Sequence, residues 1–128
     1  MTNHLHTVTG VHDDKQTISD ILRDFKKYTS KKIIASINEN PEESRKVWML
    51  DRFWFVGNND KKIKNFKFWQ DGNYIEQIYS YDFFKQKENY IHMNPVNQEI
   101  VEHPEDYLYS SARDYSGMDG LLKVIVCN

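Results

Sequence analysis

Between residues 17 and 37 the apolar side chains fall on one line of a helix. Ile18, Ile21, Leu22 and Phe25 begin the line, and it continues through Tyr28 to Ile33, Ile34 and Ile37. Arg23, Asp24, Lys26 and Lys27 occupy the remaining surface. A stripe of this kind is stable as a helix only when another apolar layer lies against it. The chain must therefore build a second layer. Thr17 or Ser19 can cap the helix start, and Thr29-Ser30 marks an expected break within it.

The remaining segments suggest what that layer is. "HLHTVTG" is β-branched and weakly alternating, and reads as a strand ending at Gly10. "VHDDKQ" is a polar loop. "NENPEESRKVWML" has a helix-start signature, with Pro41 in the first turn and Glu42 and Glu43 at its positive end. "FVGNNDKK" reads as a loop, "IKNFKFWQ" as an alternating strand and "QDGN" as a turn. Ser80 or Asp82 starts a helix that runs to about Met93, where Pro95 stops it. A short helix after Pro104 and a closing strand, "LLKVIV", complete the chain. The order β-α-α-β-α-α-β predicts an α+β fold, with helices packed on an antiparallel sheet.

At 128 residues the chain fits one domain. No apolar run is long enough to span a bilayer, and no basic start followed by an apolar segment resembles a signal peptide. We therefore expect no membrane partner. A lone Cys127 permits no internal disulfide and fits a reducing, cytoplasmic setting. The net charge of -2 argues against indiscriminate polyanion binding. Yet Arg23, Lys26, Lys27, Lys31 and Lys32 cluster against the single acid Asp24, and Lys61, Lys62, Lys64 and Lys67 form a run without any acid. A local basic surface is compatible with that pattern.

Two places carry candidate chemistry. In a strand, His4 and His6 would project to the same side and share one ion, with magnesium or manganese tolerated in a mixed nitrogen and oxygen site. Such a spacing also arises by chance in a chain with five histidines, and on spacing alone an exposed pair without a role accounts for it. On the third long helix Phe83, Lys87, Tyr90 and Asn94 share one stripe, while His92 lies on the far side. A hydrogen-bonded core tyrosine and a helix-terminal amide are the ordinary accounts of Tyr90 and Asn94. If the helix lies under the histidines, a phenol, two imidazoles and an amide oxygen share one pocket, with Lys87 near the negative charge. A phenol is a poor nucleophile at its ordinary pKa of about 10, and a metal-polarised phosphate lowers that demand. The reaction this suggests is attack on a phosphodiester.

"NHLH" resembles the His-hydrophobe-His motif of single-tyrosine HUH transposases of the insertion-sequence 200 type. "YIHMNPV" resembles the helix carrying their tyrosine, in the form found in REP-associated tyrosine transposases. "SDILRDFKKYTSKKI", "FWQDGNYIEQI" and "PEDYLYSSARDY" are similar to connecting segments of that group. The resemblance implies a transposase domain over residues 1–115, with 116–128 as a tail. It further implies a ferredoxin-like antiparallel sheet, metal ligands His4, His6 and Asn94, and Tyr90 as the nucleophile. The implied activity is cleavage and rejoining of single-stranded DNA beside hairpins through a 5′-phosphotyrosine, with a divalent magnesium or manganese ion. Lys26, Lys27, Lys31 and Lys87 would then meet phosphates, and Trp69 (or Phe68) would stack on a base. A solvated face and core packing are the ordinary accounts of those lysines and aromatics.

In that family a first strand and helix precede the histidine motif, and Met1 coincides with an internal methionine. The resemblance therefore implies a shortened copy lacking both elements. Such a chain would aggregate or dimerise through an open sheet edge, as monomer or homodimer, with weak nicking or none. A non-catalytic binder of hairpin or single-stranded nucleic acid is the second reading. A small metal-dependent phosphodiesterase, with Tyr90 orienting the substrate, is the third.

Overall fold

Thr17 starts the first helix, α1 (Ile18–Glu39), through a reciprocal cap. The Thr17 hydroxyl accepts from the Asp20 N–H at 3.2 Å, while Asp20 Oδ2 accepts from the Thr17 N–H at 3.2 Å. The helix passes through Thr29 without breaking. The Thr29 hydroxyl donates to the Phe25 carbonyl one turn back at 2.7 Å, so a residue that competes for backbone bonds is satisfied inside the helix. Pro41 lies in a turn, and α2 begins only at Lys46 and runs to Asn58. It therefore absorbs Phe55, Val56 and Gly57, which composition had assigned to a loop. Ser80 caps α3 (Tyr81–Asn97), its hydroxyl accepting from the Phe83 N–H at 3.2 Å. Pro95 does not end α3. It lies inside the last turn, and the N–H groups of Gln98 and Ile100 close on the carbonyls of Asn94 and Pro95. A 3-10 turn over Pro104–Asp106 and a short α4 (Ala112–Tyr115) follow.

The computed structural model describes residues 3–11, 15–61, 63 and 65–127. The reading of Met1, part of the "VHDDKQ" loop, and Lys62 and Lys64 of the lysine run lie outside the described residues. No described residue forms a strand, so the expected α+β ferredoxin-like sheet, with its absent first strand and helix, is not what this chain forms. Among the described residues there is therefore no open sheet edge. The segments read as strands (4–10, 63–70 and 121–126) are irregular wherever described. The reason is physical. β propensity describes fitness for a paired, half-buried surface, and it produces a strand only where a second strand pairs with it.

The chain forms two compact units. Thr9–Tyr74 is one, and the segment up to Val8 together with the chain from Ile75 onward is the other. In the first, α1 packs on α2, and the chain returning from α2 lies against both. Phe53 meets Phe68 with ring centroids 5.3 Å apart, Phe68 meets Trp69 at 5.3 Å, and Trp69 meets Phe25 at 5.9 Å. Gly57 makes the closest approach possible, since a Cβ there would run into the backbone of Asn65 and Lys67. The Lys67 N–H donates to the Phe53 carbonyl at 2.9 Å. The Lys67 ammonium, its side chain 9% exposed, sits 2.5 Å from Asp60 Oδ2 and 2.6 Å from Asp71 Oδ2. Those hydrogen bonds, Asp60 first, raise its pKa.

In the second unit α3 packs on the 3-10 turn, and the turn on α4. Several contacts here are polar. Arg113 donates to the carbonyls of Asp119 (3.0 Å) and Glu105 (3.2 Å), and Tyr115 accepts from the Cys127 N–H (3.3 Å). Ala112 and Pro95 are the buried apolar side chains among the described residues. No helix of the described residues is long and apolar enough to cross a membrane.

Candidate functional site

Tyr90 projects from the middle of α3 and is 53% exposed. Its ring meets the His6 ring edge-on, with centroids 5.8 Å apart and planes at 86°. The His6 ring meets the His4 ring the same way, at 5.0 Å and 74°. Three side chains, two from the first residues and one more than eighty positions later, thus form a contiguous row within one unit. The histidines reach it from an irregular segment, with no strand beneath them.

One ring nitrogen of the row lacks a hydrogen-bond partner. His4 Nδ1 donates to Asn3 Oδ1 at 2.6 Å. His6 Nε2 is buried and has no hydrogen-bond partner. Burial, and secondarily the proximity of His4, lowers the His6 pKa below its ordinary 6.5 and holds the ring neutral at pH 7. A neutral imidazole with an unpartnered buried nitrogen is the form that binds a divalent ion. No three His, Cys, Asp or Glu side chains gather into a metal cage among the described residues. A metal here would draw its other ligands from water or substrate.

Other candidates are placed differently. Asn94 lies one turn from Tyr90 and is 8% exposed, with its Oδ1 accepting from Gln98 Nε2 at 2.8 Å. Its oxygen is thus held within α3's own last turn. Lys87 Nζ lies 2.6 Å from Glu76 Oε2 and 5.0 Å from the Phe83 ring. In the Thr9–Tyr74 unit, Lys26 Nζ donates to the carbonyls of Gly72 (2.9 Å) and Gln70 (3.3 Å) and lies over the Trp69 ring. Trp69 is half-buried, and its indole N–H donates to Thr29 Oγ1 at 3.0 Å. Both serve packing in this structure. Lys27 and Lys31, four residues apart on one exposed face of α1, remain turned to solvent.

Sequence reasoning did not single out Gln98 or Glu76. Gln98 follows Asn94 by four residues, so helical spacing contained that signal. Glu76 reaches Lys87 from an irregular segment, for which no periodicity exists. Comparison with family models, characterised proteins and solved structures finds no match for this chain.

Proposed function

We propose that the chain cleaves and rejoins single-stranded DNA next to hairpins through Tyr90, in the manner of the single-tyrosine HUH transposases that its "NHLH" and "YIHMNPV" segments resemble. The observation that carries this reading is the row His4–His6–Tyr90, in which an exposed phenol adjoins His6, His6 adjoins His4, and His6 Nε2 has no hydrogen-bond partner. A divalent magnesium or manganese ion held by His4 and His6 would withdraw charge from a phosphate oxygen.

Tyr90 supplies the nucleophile. Its oxygen forms a bond to phosphorus as the bond to the 3′ oxygen breaks, and the departing oxygen takes up a proton to become a free 3′ hydroxyl. The phenol's own proton leaves to water, which reaches this exposed side chain. The phosphotyrosine keeps the energy of the broken ester, so the 3′ hydroxyl can reverse the step or another can replace it. Lys27 and Lys31, exposed and on one face of α1, are the lysines we expect to meet phosphates.

The test is direct. The full chain is incubated with labelled single-stranded DNA containing a hairpin, plus manganese, and resolved on a denaturing gel. A covalent adduct that disappears in Tyr90→Phe is expected. DNA binding without any adduct would replace this reading with that of a non-catalytic binder. Adduct that persists in Tyr90→Phe would move the nucleophile elsewhere.

A further inference from the structure

The helix α2 is apolar on two opposite faces. Leu50, Phe53 and Gly57 turn inward, toward α1 and the returning chain. On the opposite side Trp48 is 61% and Phe55 60% exposed, and Val47 (72%) and Trp54 (50%) are exposed on a flank about 100° around the helix from them. Trp48, Asp51, Arg52, Trp54 and Phe55 line a shallow surface hollow. A surface helix ordinarily presents one apolar stripe, so the outer face lacks the layer it is built for.

The charges on that face identify what covers it. Trp48 and Phe55 are two turns apart and lie on nearly one line along the helix. Asp51 and Arg52 sit midway between them, 100° apart, one to each side of the line. Both are exposed, and neither has an ion-pair partner in its own chain among the described residues. A twofold axis running parallel to the helix exchanges left and right, and so sets each Asp51 against the Arg52 of a second copy. An antiparallel pairing would instead bring Asp51 to Asp51 and Arg52 to Arg52. The face is therefore self-complementary in one orientation only.

We propose that the outer face of α2 is a homodimer interface. Two copies pack α2 against α2 in parallel, Trp48 and Phe55 forming the seam and two symmetric Asp51–Arg52 pairs fixing its register and direction. A contact of one helix, about 20 Å long, is small, and a reversible dimer in the micromolar range is expected. This interface is independent of the Tyr90 chemistry and lies within the other unit.

Sedimentation of the full chain over a concentration series reads the dimer. Asp51→Arg and Arg52→Asp each surround the seam with like charges, and each is expected to weaken dimerisation by more than about tenfold. Both positions are exposed, so circular dichroism and the melting temperature of the monomer stay as in the parent chain. The double swap Asp51→Arg/Arg52→Asp restores the homodimer. Mixing the two single variants, neither of which self-associates, restores a heterodimer. A parent chain that stays monomeric throughout, single reversals that dimerise like the parent, or a mixture that fails to pair would each overturn the proposal. In those cases the face belongs to a different partner or to none.

Discussion

The helix α3 carries two histidine corners that differ in one respect. On one side His6 reaches Tyr90 with its Nε2 unpartnered. On the other side His92, a residue of α3 itself, bonds through Nε2 to Ser111 Oγ at 2.9 Å, rests edge-on against Tyr115 at 5.1 Å, and has Glu88 3.8 Å from Nδ1. Burial is the leading cause that lowers both pKa values. Buried histidine is therefore not in itself a sign of chemistry. A ring whose Nε2 is bonded to Ser111 joins α3 to α4, whereas His6 beside the exposed Tyr90 has a buried Nε2 without a hydrogen-bond partner. The same distinction sorts the lysines of the other unit, where Lys26 and Lys67 are engaged and Lys27 and Lys31 are exposed.

The largest expected effect separates the two corners by activity. Tyr90→Phe abolishes the covalent DNA adduct and leaves the melting temperature within a degree or so, since the hydroxyl is on an exposed side chain. Ser111→Ala leaves the adduct per folded molecule unchanged. An adduct lost equally in both variants would erase the contrast.

Next, the two histidines separate by what each variant damages. His6→Ala lowers manganese-dependent adduct formation on the order of 10- to 100-fold with little change in stability. His92→Ala costs about 1–3 kcal/mol in a denaturant melt, because Ser111 loses its partner and the half-buried ring leaves a gap against Tyr115. Reversed outcomes would make His92 the functional ring and His6 the structural one.

Acid treats the corners alike in sign and differently in size. A pKa below the ordinary 6.5 in the folded state means that the unfolded chain binds the proton more readily. Stability from either ring is therefore complete above 6.5 and is lost as pH falls below it. Melts from about pH 7.5 to about pH 5 are expected to decline, and His92→Gln flattens the decline more than His6→Gln does. The His92 side chain is only 12% exposed, although Glu88 opposes the shift. A steeper dependence in His92→Gln would contradict this assignment.

The smallest effect concerns the lysines. Lys27→Ala/Lys31→Ala is expected to reduce the salt slope of single-stranded DNA binding by about 1.4, from two phosphate contacts. Lys26→Ala leaves that slope alone and lowers stability instead, by freeing the carbonyls of Gln70 and Gly72. An unchanged slope in the double variant would make the outer face of α1 ordinary solvated surface.

Local chemistry was legible in the residues themselves. Thr17 and Ser80 cap the helices for which their hydroxyls suit them, the stripe from Ile18 to Ile37 is one helix, and Tyr90 and Asn94 lie a turn apart on another. Each of these depends on groups within about four positions, which one sequence contains in full. Long-range choices were not legible. Whether "HLHTVTG" becomes a strand depends on a neighbour to pair with, and no described segment pairs with it. Trp69 looks equally suited to a base or a core until Thr29 takes its indole N–H, and Lys26 looks free until Gly72 turns its carbonyl toward it. Residue types limit what each side chain can bond, but the contact between His6 and Tyr90, like the capture of Lys26, exists only because folding brings distant positions within reach.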